Sequence, residues 1–157
     1  MINVIFVCLG NICRSPLGEG IFRELVRLRG WENRFHIDSA GTASYHVGEA
    51  PDPGSRKVAK KHGISIDELR GRHLKGDELD KWNYIVAMDT SNRGNIEKLG
   101  QIRGELWLMR DFDPIEKGGS VPDPWSQGDD AFLNSYNIIY RSCEKLLEYI
   151  ADKEELE

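Results

Sequence analysis

The chain has 157 residues, 39% hydrophobic and 30% charged, a balance that suits one domain with its own apolar core and excludes the disordered and membrane-spanning classes. Net charge is -5, from 21 basic and 26 acidic residues, and no basic stripe interleaved with aromatics appears, so nucleic acid is not an expected partner. Three cysteines, an odd number, with no export signal ahead of them, point to the reducing cytoplasm rather than to a disulfide framework.

The run Ile2–Val7 reads as a short buried strand, too short to span a membrane and lacking the flanks of a signal peptide. Gly10 and Asn11 then open a loop. A helix follows at once: Ser15 is placed as its N-cap and Pro16 as its first residue, and Leu17, Ile21, Leu25 and Leu28 recur at helical spacing before Gly30. Further strands are expected at Phe35–Ser39, Tyr84–Met88 and Leu106–Met109, with helices near Gly54–His62, Ser91–Leu99 and Asp129–Ile150. This alternation predicts a single α/β domain over residues 1–157, a four-stranded parallel sheet with helices on both faces and ligands outside the carboxyl ends of the strands. The Gly- and Pro-rich stretch Asp111–Asp130 is too long for a routine connection and reads as a functional loop. The polar tail Ala151–Glu157 is expected to fray into solvent.

Between the first strand and its helix stands Cys8-Leu9-Gly10-Asn11-Ile12-Cys13-Arg14-Ser15. A loop entering a helix turns successive backbone N–H groups toward one spot and adds the positive end of the helix dipole, which makes an anion site. Arg14 can grip two phosphate oxygens with its planar fork, and Cys8 at the base of the same cradle is placed where positive potential favours the nucleophilic thiolate. Each residue also has a plain structural reading: a buried strand-end cysteine, an ordinary Gly-Asn turn, a solvated arginine. Their joint position after a buried strand and before a Ser-Pro helix start favours the phosphate-binding loop. Cys8 and Cys13 have no second Cys or His pair at ligand spacing, so zinc is not implied, and the Gly-Lys-Ser/Thr of a nucleotide P-loop is missing.

The segment Val7–Pro16 resembles the phosphate-binding loop of the low-molecular-weight protein tyrosine phosphatases. Asp38-Ser39-Ala40-Gly41-Thr42, Pro51-Asp52-Pro53, Met88-Asp89-Thr90-Ser91-Asn92 and Val121-Pro122-Asp123-Pro124-Trp125 match that family in its order. The resemblance implies hydrolysis of phosphotyrosine through a phosphocysteine on Cys8, with Arg14 binding the phosphate and Asp123 as the general acid. The chemistry also asks for such an acid, because a phenolate leaves more easily as it gains a proton. The resemblance further implies that Leu9, Gly10, Asn11, Ile12, Cys13 and Ser15 surround the phosphate and that Tyr45 and Trp125 flank the ring. Asn11, Ser15 and Ser39 resemble a network that shapes the loop, with Ser15 reaching the sulfur. Oxidative pairing of Cys8 with Cys13 is implied in the same way.

Two departures stand out. Trp125 and Ser126 occupy places where many relatives carry tyrosines, so the tyrosine phosphorylation that regulates some relatives has no acceptor there. A histidine that joins the network in some relatives has no counterpart in Ser65–Arg70, and His62 is assigned to a helix end before Gly63.

Phosphotyrosine proteins are the expected partners, with no metal, organic cofactor, membrane or nucleic acid implied. The rival readings are a thiol-dependent arsenate reductase, a protein arginine phosphatase and a non-enzymatic phosphate-binding module. The first needs further resolving cysteines, whereas Cys143 sits on an amphipathic helix with Ile139 and Leu146 and reads as core. The second tends to carry threonine where Ile12 stands. The third would not require a cysteine, an arginine and a late acid together.

Overall fold

The computed structural model describes residues 1–157. Strand β1 (Ile2–Cys8) pairs in parallel with β2 (Phe35–Gly41) on one side and β3 (Tyr84–Ala87) on the other, and β4 (Glu105–Leu108) adds beyond β3. The order is β2-β1-β3-β4. Parallel neighbours need crossovers, supplied by helices α1 (Arg14–Leu28), α2 (Pro53–Lys61) and α3 (Thr90–Leu99), and α4 (Asp129–Lys153) closes the chain.

Being central, β1 is buried on both faces and therefore reads as an apolar run. Val4, Phe6 and Cys8 join a core with Leu17, Ile21 and Phe22 of α1 and Ile139, Cys143 and Leu146 of α4. Ile5 and Val7 point the other way, into a smaller core with Leu74, Leu79, Trp82 and Ile96. The α/β class, the four parallel strands and the helices on both faces agree with the expectation. No helix is long and apolar enough to cross a membrane.

Two local expectations are corrected. Helix α1 begins at Arg14, and its N-cap residue is Cys13, which makes no side-chain capping bond. Ser15 is not the cap, because its hydroxyl is drawn to Cys8 and Asn11 instead. The tail does not fray either. Leu156 packs on the core, the Trp31 Nε1–H donates to the Glu157 carbonyl at 3.0 Å, and the Tyr84 hydroxyl donates to Glu154 at 2.8 Å. One apolar residue beyond a helix end is enough to fold the tail back when buried aromatics offer it polar partners.

The long segment after β4 is tied to α4 by Asp113, whose side chain is fully buried. Arg141 donates to it in bidentate fashion at 2.8 and 2.9 Å, Arg110 Nε at 3.1 Å and the Ile115 N–H at 2.9 Å. Burial alone would raise the carboxyl, but Arg141 and the backbone donors overcome it and hold Asp113 down at about 2. A carboxyl held below its unfolded value of about 4 contributes stability that is complete above that pH and is lost as pH falls toward 2. Asp113→Asn is therefore expected to lose about 3–5 kcal/mol at neutral pH by leaving buried arginine charge unpaired. The gap to wild type should narrow between pH 4 and pH 2. Denaturant unfolding across that range checks it, and a gap independent of pH contradicts the ion-pair account.

Candidate active site

At the carboxyl end of β1 the chain leaves the sheet at Cys8 and re-enters regular structure at Arg14. The carbonyls of this turn are taken by surrounding segments. Thr42 N–H donates to Cys8 at 2.9 Å, Ala43 N–H to Leu9 at 3.0 Å, Asp52 N–H to Ile12 at 2.8 Å, and the Ser55 hydroxyl to Cys13 at 3.0 Å. The amides of Leu9 to Cys13 have no backbone acceptor. Carbonyls held outward and amides left free give the loop the polarity of an anion receptor. Close approach makes this possible: a Cβ on Gly41 would lie 2.7 Å from the Leu9 carbonyl, so β2 can end beneath the loop only with glycine there.

Asn11, at φ 58°, turns its side chain back under the loop, where its burial is complete to within 2%. Its Oδ1 accepts the backbone N–H of Arg72 at 3.0 Å, which fixes the amide orientation because that group can only donate. The Nδ2 group therefore donates twice, to Ser15 at 2.8 Å and to Ser39 at 3.0 Å. The Ser39 hydroxyl proton goes in turn to the buried Glu19 carboxylate at 2.6 Å, and Arg23 balances Glu19 from the other side at 2.6 Å. Ser15 keeps its own proton, which goes to the Cys8 sulfur 3.0 Å away when Cys8 is the thiolate, since a thiolate can only accept. The chain of bonds thus has one direction and ends in a donor aimed at Sγ. Arg72 joins the network through its backbone, and its guanidinium is anchored to Glu78 and Asp38.

Arg14 is 3% exposed. Its Nη1 donates to Asp89 at 2.8 Å and to the Val121 carbonyl at 2.9 Å, while its buried Nε has no protein partner and Nη2 lies 3.8 Å from Asp123. One edge of the guanidinium is therefore spent on orientation, and the Nε–Nη2 edge is left for a bidentate oxyanion. Asp89 also caps α3 by accepting the Asn92 N–H at 2.7 Å. Asp123 is half exposed, and its Oδ1 accepts the Trp125 N–H at 3.1 Å, so Oδ2 is the oxygen nearer Arg14.

These groups border a cleft of about 210 Å³ lined by Leu9, Gly10, Ile12, Cys13, Arg14, Tyr45, His46, Asp123 and Trp125. Tyr45 and Trp125 are exposed at its mouth. Asn11, Ser15 and Cys8 do not line it; they lie buried behind and beneath the loop. Sequence reasoning missed His46, whose ring sits against Gly10, and Glu19, Arg72 and Asp89. Asp89 stood inside a recognised match, whereas Glu19 gave no signal. Burial, with Asp52 next, pushes the Cys13 thiol far up and keeps it protonated at the wall of the cleft. Cys143 is fully buried against Met109, as a core residue.

The family model for low molecular weight phosphotyrosine protein phosphatase matches residues 3–156. The chain belongs to this family. It is 37% identical to the low molecular weight protein-tyrosine-phosphatase YfkJ of Bacillus subtilis, over 99% of this chain and all of that one. A protein tyrosine phosphatase from Entamoeba histolytica, solved with Hepes in its active site, superposes with a TM-score of 0.93 at 31% identity, covering 98% of this chain and 99% of that one. A Drosophila arginine phosphatase is also similar, with a TM-score of 0.87 at 31% identity over 94% of this chain and 96% of that one. The fold thus gathers Leu9, Gly10, Ile12, Cys13, Arg14, Tyr45, Asp123 and Trp125 around one cleft, with Arg14 3.8 Å from Asp123, and places Cys8, Asn11 and Ser15 behind the loop.

The direction of the Asn11 network can be reversed without changing its shape. Asn11→Asp replaces two donors with acceptors, so Ser15 must donate to residue 11 and can no longer serve the sulfur. Turnover of an aryl phosphate is expected to fall by on the order of tenfold or more, the worth of about one hydrogen bond to a charged group. Steady-state kinetics on the folded variant checks this, and an unchanged kcat contradicts the directional network.

Proposed function

We propose that the protein hydrolyses phosphotyrosine in protein substrates through a phosphocysteine intermediate on Cys8. The observation that carries this reading is a loop of free amides that starts at the Cys8 sulfur, 3.0 Å from the Ser15 hydroxyl, and ends at a buried arginine with one edge unused. In the first step the Cys8 thiolate attacks phosphorus and the bond from phosphorus to the tyrosine oxygen breaks. Asp123 gives that oxygen its proton, so the leaving group departs as a neutral phenol. The loop amides and Arg14 hold the three equatorial oxygens as charge spreads over them.

In the second step water attacks the phosphocysteine, Asp123 takes the water's proton, and the sulfur leaves as thiolate, stabilised by the Ser15 hydroxyl. Tyr45 and Trp125 supply aromatic faces for the substrate ring, with Leu9, Gly10, Ile12 and Cys13 forming the rest of the wall. Nucleophile, clamp and acid all come from the chain itself, so the reading calls for no metal or organic cofactor. Three free thiols fit the reducing cytoplasm. Cys13 shares the loop of Cys8, and we include their oxidative pairing as a protective state of this site.

Phosphoarginine is the second reading, favoured by the similar Drosophila protein. Ile12 argues against it, because an apolar residue at the cleft wall suits a flat ring better than a guanidinium with unmet hydrogen bonds. Purified protein is expected to hydrolyse phosphotyrosine peptides faster than phosphoarginine peptides with no added metal; the opposite order would favour the second reading. Asp123→Asn should slow phosphotyrosine hydrolysis by on the order of 10² to 10⁴, with smaller losses for esters whose leaving groups need no proton. The kcat/KM values across a series of aryl phosphates, which report only the steps up to the phosphocysteine, decide this: equal losses for all of them would assign Asp123 a structural role.

A further inference from the structure

We propose that Arg110 is a positioning residue for Asp123, acting through the backbone from Gly118 to Val121. The inference rests on the reading of Asp123 as proton donor and adds what holds that donor in place.

After the turn Met109–Phe112 the chain runs without regular structure until α4 begins at Asp129. Within that stretch Gly118 and Gly119 stand at φ of 85° and 80°, and nothing lies within 4 Å of where their side chains would be. Two adjacent left-handed glycines with no packing of their own form a free joint unless something outside them fixes the path. Arg110 is in the right place to fix it. Its carbonyl accepts the Gly118 N–H at 2.6 Å and its Nη1 donates to the Ser120 carbonyl at 3.3 Å, so it grips the chain on both sides of the joint.

The grip is itself anchored. Arg110 is 7% exposed, with Nε on Asp113 at 3.1 Å and Nη2 on Glu116 at 2.6 Å. The next carbonyl, that of Val121, is held by Arg14 Nη1 at 2.9 Å, and the Val121 N–H donates to Met88 at 2.8 Å. Two arginines therefore hold neighbouring carbonyls just ahead of Asp123, one of them the phosphate clamp. Lysine cannot replace Arg110 fully, since one ammonium cannot reach Asp113, Glu116 and Ser120 together. Losing the grip frees the glycine joint and blurs the position of Asp123, while the cradle of free amides and Arg14 stays intact.

The test compares Arg110→Met and Arg110→Lys, alone and combined with Asp123→Asn, on p-nitrophenyl phosphate and on phenyl phosphate, whose leaving group needs the proton more. Arg110→Met is expected to lower kcat/KM on phenyl phosphate, which reports only the steps up to the phosphocysteine, by on the order of 10- to 100-fold, a partial loss of general acid catalysis. On p-nitrophenyl phosphate the fall should be several times smaller. Arg110→Lys should show the same bias more weakly, and the bias should vanish in the Asp123→Asn background. If Arg110→Met does not fold, the bias in Arg110→Lys decides alone. Equal losses on both esters, or a bias that persists without the Asp123 carboxylate, would overturn the proposal while leaving Asp123 as the acid. Absence of leaving-group dependence in Asp123→Asn itself would overturn the acid and its positioning together.

Discussion

The cleft depends on one constraint: the chain between Cys8 and Arg14 must turn from a buried strand into a helix while its amides stay free. A turn normally satisfies its own donors, so this loop is held in shape from outside. The end of β2, the start of α2 and the Asn11 side chain supply that support by taking the carbonyls and filling the space beneath. Gly41 and the αL conformation of Asn11 are the local signs of how tightly the segments meet. A receptor built this way needs little rearrangement when an oxyanion arrives, and such preorganisation is what electrostatic catalysis requires.

The second layer is electrostatic. A chain of net charge -5 does not attract phosphate at long range, so the positive potential has to be local. Arg14 supplies it from a buried position, and Asp89 with the Val121 carbonyl fixes its plane so that one edge faces the loop. Asp123, the proposed acid, enters from the far side on a segment with its own buried charges: Arg110, Asp113 and Arg141 tie it to α4. Arg14 and Asp123 thus come from distant parts of the chain and meet because Arg14 holds the carbonyl of Val121.

Much of this was legible in the sequence, and the reason is periodicity. The apolar run of β1, the three- and four-residue spacing of α1 and the strand–helix alternation follow from burial, and they place the Cys8 loop at a strand end. Asp123 was legible through its Asp-Pro match, and Tyr45 and Trp125 through their aromatic character. What escaped were groups whose task depends on three-dimensional contact. Ser15 before Pro16 looks like a cap, yet the sulfur and Asn11 compete for its hydroxyl and win. Glu19 looks like a solvated helix residue, but α1 lies against β2 and turns it toward Ser39. Asp113 gave no signal, because its pairing with Arg141 spans 28 residues and leaves no local pattern. The tail read as frayed because its partners, Trp31 and Tyr84, lie far away in sequence.

The covalent step carries the whole account, and it can be observed directly. Protein mixed with a phosphotyrosine peptide, quenched in acid during turnover and digested, should yield a phosphorylated peptide containing Cys8 by mass spectrometry. Asp123→Asn should change how much of it accumulates, and Cys8→Ser should abolish both the adduct and turnover. Sustained turnover by Cys8→Ser, or wild-type turnover with phosphate on no residue of the loop, would contradict the mechanism.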